Sequence, residues 1–170
     1  MMTEVMVPVV NGQEIDGELA CPPVTTYGPG HEDRWVEFEL YALDNGQWLI
    51  HRVGRSNVYH RIDTRCTTRT GRQSGDPAGA NDLPDDAVPC LVCRPEDPEY
   101  LPNGPGTVRF ESDRHTTDLC PTAYLVKAKL TTVRSRDGSV STFTSDPVGQ
   151  LLRGAARRYP EFAGLIEPAA

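Results

Sequence analysis

Long hydrophobic runs are missing from this chain. No apolar stretch approaches the roughly 20 residues that span a bilayer, so a soluble protein with no membrane association is expected. Aromatic residues make up only 7% and hydrophobic residues 38% of the 170 positions, while glycine and proline each number 15. That balance predicts much loop and a modest core, within one domain or one domain with a small appended module. A chain of this kind is expected to need a staple, which a structural metal can supply. Also lacking are a basic start and a 7–15-residue apolar stretch at Met1-Met2-Thr3-Glu4-Val5, which speaks against a secretory leader. A reducing cytoplasm is therefore the expected compartment. There the five cysteines, an odd number, suit metal binding or redox work better than a disulfide framework.

Lysine is nearly absent too. Of 17 basic residues only Lys127 and Lys129 are lysine. The net charge of −7 conceals an asymmetry: residues 1–106 carry 17 acidic and 8 basic side chains, and residues 107–160 carry 5 acidic and 9 basic. An acidic whole argues against indiscriminate nucleic-acid binding, while a basic last third allows a local patch.

What is present reads in three parts. Residues 1–30 are expected to be an irregular N-terminal arm, with at most an edge strand over Val5 to Val10 before the breakers Cys21-Pro22-Pro23 and Tyr27-Gly28-Pro29-Gly30. Residues 31–106 are expected to hold a β-hairpin and the metal-binding stretch. Trp35 to Tyr41 alternates apolar and polar, Asp44-Asn45-Gly46 is a turn, Gln47 to Val53 runs back, and Val58-Tyr59-His60 forms a third short strand. Residues 67–89 read as a long polar surface loop, tolerated best when its ends are pinned, and Thr107 to Glu111 as a strand. Residues 107–170 are expected to pack on the same core. They read as a short helix from Pro121 to Leu130, a hairpin about Asp137-Gly138, and a final helix capped by Ser145 or Asp146 with Val148, Leu151, Leu152, Ala155 and Ala156 on one stripe. The expected fold class is α+β: a small antiparallel sheet with a zinc knuckle and a C-terminal helix–β-hairpin–helix.

The chemistry concentrates in Cys90-Leu91-Val92-Cys93-Arg94-Pro95 and, upstream, in Tyr59-His60-Arg61 and Cys66. A Cys-x-x-Cys turn lets two thiolates converge on one Zn²⁺, and thiolate or imidazole suits its tetrahedral coordination. Cys66, Cys90 and Cys93 supply three ligands. His60 is the candidate fourth, with His115 and Cys120 as the alternatives.

Val58-Tyr59-His60-Arg61 followed by Cys66, and then Pro89-Cys90-Leu91-Val92-Cys93-Arg94-Pro95, resembles the small metal-binding module of bacterial Ada-type DNA-alkylation repair proteins. The resemblance spans residues 57–95 and implies a structural zinc ion. In the repair proteins one cysteine also accepts a methyl group from a DNA phosphotriester. Here His60 is the first ligand where they have cysteine, and five residues separate it from Cys66 where they have three. The chain as a whole is similar to small proteins of actinobacteria and their phages.

His115, Asp118 and Cys120 offer the residue types of a nucleophile, base and orienter, but such sets assemble in space rather than along a short segment. Lys127, Lys129, Arg134 and Arg136 form a candidate nucleic-acid surface, with Arg134 and Arg136 expected on one face of a hairpin strand. The leading expectation is a non-enzymatic, zinc-stabilised interaction protein with a protein partner, of phage or accessory type and acting on a host macromolecule. The alternatives are a nucleic-acid-binding accessory module using that basic hairpin and helix, and an enzyme with a Cys120-based or metal-water site.

Overall fold

The computed structural model describes residues 16–28, 31–62, 66, 77–79, 83–97, 100 and 107–166. Among them the protein is a mixed α+β fold with mostly antiparallel sheets and three helices. The chain divides into two units. Unit 1 comprises Met1–Thr26, Glu37–Arg52 and Thr116–Ala170, and unit 2 comprises Tyr27–Val36 and Val53–His115.

Strands β1 (Gly17–Leu19), β2 (Val24–Gly28), β3 (His31–Leu43), β4 (Trp48–Ser56) and β9 (Arg114–Cys120) form one sheet in the order β1-β3-β4-β9, with β2 also on β3. Four of them, β2, β3, β4 and β9, supply residues to both units. The hairpin between β3 and β4 turns as its sequence dictates. Gly46 takes φ +85°, a conformation that side chains with a Cβ resist, and its N–H donates to the Leu43 carbonyl at 3.0 Å.

In the stretch expected to be an irregular arm, β1 and β2 are strands, and Cys21-Pro22-Pro23 only separates them. The edge strand expected over Val5 to Val10 lies outside the described residues. Cys21, in no recognisable motif, belongs to the unit 1 core. Its thiol lies 3.4 Å from the Leu151 carbonyl, to which it donates.

That core is built on helices α1 (Ala123–Thr131) and α2 (Asp146–Ala156), followed by the short α3 (Pro160–Ala163). Val148, Leu151, Leu152 and Ala155 are buried with Leu40, Trp48, Ile50, Val126 and Phe162, so the apolar stripe of α2 is the face turned to the sheet. The indole of Trp48 meets Tyr159 and Phe162 edge-on, with ring centroids 4.9 and 4.7 Å apart. Thr122 caps α1 by accepting from the Leu125 N–H, and Ser145, rather than Asp146, caps α2 by accepting from the Val148 N–H.

Between α1 and α2, β10 (Thr132–Arg134) pairs antiparallel with β11 (Val140–Thr142) around Gly138 at φ +85°. Among the described residues no helix is long and apolar enough to cross a membrane.

Unit 2 holds a second sheet, ordered β6-β8-β5-β7, from β5 (Val58–Arg61), β6 (Pro77–Gly79), β7 (Val88–Pro89) and β8 (Thr107–Phe110). The long loop expected over 67–89 is therefore interrupted by two short strands; residues 67–76 lie outside the described part. β5 is flanked on both sides. Tyr59 pairs with Pro89 in parallel register and with Phe110 in antiparallel register.

Candidate metal centre

β5 brings His60 to the middle of the unit 2 sheet, and its neighbours deliver the other groups. β7 ends at Pro89, one residue before Cys90, and the Cys90 N–H donates to the Tyr59 carbonyl at 3.0 Å. The chain then turns back on itself. The Arg94 N–H donates to the Cys90 carbonyl at 3.0 Å, and Arg94 takes φ +51°, a left-handed conformation uncommon for a side chain of its size. Pro95, fully buried, follows it. Arg61, just past His60, grips this exit. Its guanidinium donates to the Arg94 carbonyl and lies 4.6 Å above the Tyr100 ring.

The turn leaves both cysteines of Cys90-x-x-Cys93 pointing inward and the two residues between them pointing out. His60, Cys66, Cys90 and Cys93 form one group whose ligand atoms all lie within 4.8 Å of one another. Cys66 Sγ is 3.7 Å from Cys90 Sγ, and Cys93 Sγ is 3.6 Å from His60 Nδ1. The Val92 N–H donates to Cys90 Sγ at 3.4 Å, the kind of backbone contact that stabilises a thiolate. His60, Cys66 and Cys90 are buried, and Cys93 is partly exposed. The five cysteines, all among the described residues, form no disulfide. One imidazole nitrogen and three sulfurs at these distances have the composition and spacing to hold a metal ion of soft or borderline character.

Burial raises the Cys93 thiol to about 12 in the metal-free chain, and the neighbouring Cys90 adds to the effect. Burial alone would lower the His60 imidazole, but the Glu111 carboxylate and the facing thiols outweigh it and the net direction is up.

Glu111 is the residue that sequence reading missed. It follows β8, and its N–H donates to the Val58 carbonyl at 3.2 Å, which places it diagonally across from His60 on one face of the sheet. Its Oε2 lies 3.7 Å from His60 Nε2, and both side chains are fully buried. Arg34 Nε donates to Glu111 Oε1 at 2.7 Å, and the Ser56 hydroxyl donates to the same oxygen at 3.2 Å. The only sequence signal was a carboxylate ending a predicted strand, with nothing to show what it faced.

The two alternative ligands fall elsewhere. His115 and Cys120 both lie on β9, outside the metal-capable group. Strand alternation puts His115 on the face opposite to Asp118 and Cys120, so the three do not converge as a catalytic set. Cys120 is 1% exposed within the unit 1 core, and burial raises its thiol above the ordinary value.

The basic residues of the last third are scattered. Lys127 is half-buried and donates to the Leu165 carbonyl at 2.6 Å, and Lys129 is exposed in the last turn of α1. Arg134, exposed, sits opposite Val140. Arg136 does not share a strand face with it, because β10 stops at Arg134 and the chain has already entered the turn closed by the Gly138 N–H on the Ser135 carbonyl. Beside Arg136 is Asp137, whose carboxyl is held below its usual value by hydrogen bonds from Ser139.

No family model matches the chain, and no curated protein or solved structure matches it either.

Proposed function

We propose that this is a non-enzymatic interaction protein whose unit 2 is held closed by one structural zinc ion on His60, Cys66, Cys90 and Cys93. The spacing of those four side chains carries the reading. A tetrahedral zinc ion with Zn–S of about 2.3 Å and Zn–N of about 2.0–2.1 Å has edges of about 3.8 Å between sulfurs and about 3.6 Å between sulfur and nitrogen. The Cys66–Cys90 and Cys93–His60 separations, 3.7 and 3.6 Å, match those edges. The remaining separations, all within 4.8 Å, need contract by about 1 Å at most to meet the same geometry. Four protein ligands close the coordination sphere and leave no position for a reactive water, which favours a structural role over metal-water chemistry.

The interaction half of the proposal draws support from the knuckle's outer side. Leu91 and Val92 are 86% and 58% exposed, and the loop that carries them is fixed at both ends by ligands. A rigid apolar tip loses little conformational entropy on docking to a protein partner. The nucleic-acid reading has less beneath it, since Lys127 is engaged and Arg136 lies next to a persistent anion.

X-ray absorption at the zinc edge is expected to fit three sulfurs and one nitrogen. A shell rich in oxygen would count against a closed structural site. For the interaction, a photoreactive side chain at position 91 is expected to crosslink a protein in lysate only while zinc is bound. Absence of any crosslink, or one indifferent to chelator, would contradict the docking role.

A further inference from the structure

Resting on that metal-site reading, we propose that Glu111 is a positioning residue that fixes His60 so that Nδ1, and not Nε2, is the metal ligand. The imidazole has two nitrogens, and either can bind a metal once the other carries the proton. Here they face different chemistry. Nδ1 lies 3.6 Å from Cys93 Sγ, on the side of the thiols, and Nε2 lies 3.7 Å from Glu111 Oε2. Nε2 is buried and has no hydrogen-bond partner closer than that carboxylate among the described residues. An N–H buried there is satisfied when a small side-chain adjustment closes the gap by about 0.7 Å to hydrogen-bond distance. A bare lone pair facing a carboxylate would be repelled. The carboxylate therefore selects the tautomer with its proton on Nε2 and its lone pair on Nδ1.

Glu111 can do this because it is itself held. Arg34 Nε contacts both its oxygens, at 2.7 and 3.2 Å, and supplies the positive charge that a fully buried carboxylate needs. Ser56 is oriented too. Its hydroxyl oxygen accepts from the Val58 N–H at 3.0 Å, which leaves its proton for Glu111 Oε1. Val58 begins β5, the strand that carries His60, so the donor that orients Ser56 and the ligand that Glu111 orients belong to one strand. The chain Arg34–Glu111–His60 is an outer-shell relay of the kind that sets ring orientation and ligand basicity at metal sites.

The plain alternative is that Glu111 serves only as the buried ion-pair partner of Arg34. Long-range proton–nitrogen correlation on ¹⁵N-labelled, zinc-loaded wild type tests which nitrogen binds without any substitution. Nδ1 metal-bound with Nε2 protonated is the expected signature, and Nε2 bound to the metal overturns the proposal.

Chelator competition on Glu111→Ala and Glu111→Gln gives a second readout. Zinc affinity is expected to fall about 10- to 100-fold in the alanine variant, with part regained in the glutamine variant, whose carbonyl still accepts from Nε2–H. The cobalt-substituted alanine variant is expected to show a shifted visible spectrum from a reoriented ring. Affinity and spectrum unchanged in Glu111→Ala would overturn the proposal while leaving the zinc site standing. Failure of the wild type to take up zinc would remove both the site and its positioning residue.

Discussion

Stripping the metal is expected to open the knuckle of unit 2 while leaving α2 of unit 1 closed. The buried cluster beside the ligands consists of Val58, Cys66 and Cys90, with Cys93 packed against it. So small a cluster gives the Cys90–Arg94 turn little apolar support, and in the proposed reading a metal ion on the four ligands supplies the rest. If free zinc stands at about a thousand times its dissociation constant, the ion contributes about 4 kcal/mol, or about 10³ in the opening equilibrium. The amides that report it are those of Cys90 and Arg94, which donate to the Tyr59 and Cys90 carbonyls at 3.0 Å. Hydrogen exchange with and without chelator is expected to speed these two by about 10³ and to leave the α2 amides within about twofold. Continued protection of Cys90 and Arg94 in protein shown to be metal-free would refute the reasoning.

Three further outcomes follow from the unit 1 core and its turns. A Cβ at position 154 would lie 2.9 Å from Cys21 Cβ, so Gly154→Ala is expected to lower stability by about 1–3 kcal/mol from overpacking, partly offset by helix propensity; an unchanged melting temperature would contradict that close approach. Leu151→Ala, at a fully buried site, is expected to cost about 2–5 kcal/mol in denaturant unfolding, and less than about 1 would mean that α2 does not face the core as described. Burial raises the Cys21 thiol from its ordinary 9.0 to about 11, so the native state keeps it protonated while the unfolded chain ionises it. Its stabilising contribution is full below pH 9 and is lost as pH rises toward 11, so wild type should lose stability across that window more steeply than Cys21→Ala; parallel pH profiles would contradict the shift.

The elements legible in the sequence are those specified by local chemistry. The β3–β4 hairpin was marked by period-two alternation and Asp44-Asn45-Gly46, and α2 by Ser145, Pro147 and its apolar stripe. The metal-capable group was legible because Cys90-x-x-Cys93 fixes two ligands by spacing alone. His60 was the candidate fourth ligand in the sequence, with His115 and Cys120 as alternatives; that its ring lies within 4.8 Å of the three thiols depends on the register of β5 against β7 and β8, which no local pattern encodes. β1 and β2 were obscured by Pro22 and Pro23, which break the chain between strands too short to show alternation. Glu111 and Arg34 were hidden for a different reason. They are 77 positions apart and meet only when unit 2 has folded.

Native mass spectrometry of the wild type, His60→Ala and Cys120→Ala tests the central claim most directly. One zinc ion in the wild type and in Cys120→Ala, with occupancy lost in His60→Ala, is the predicted result. A wild type without zinc, or one whose zinc depends on Cys120 and not on His60, would contradict it.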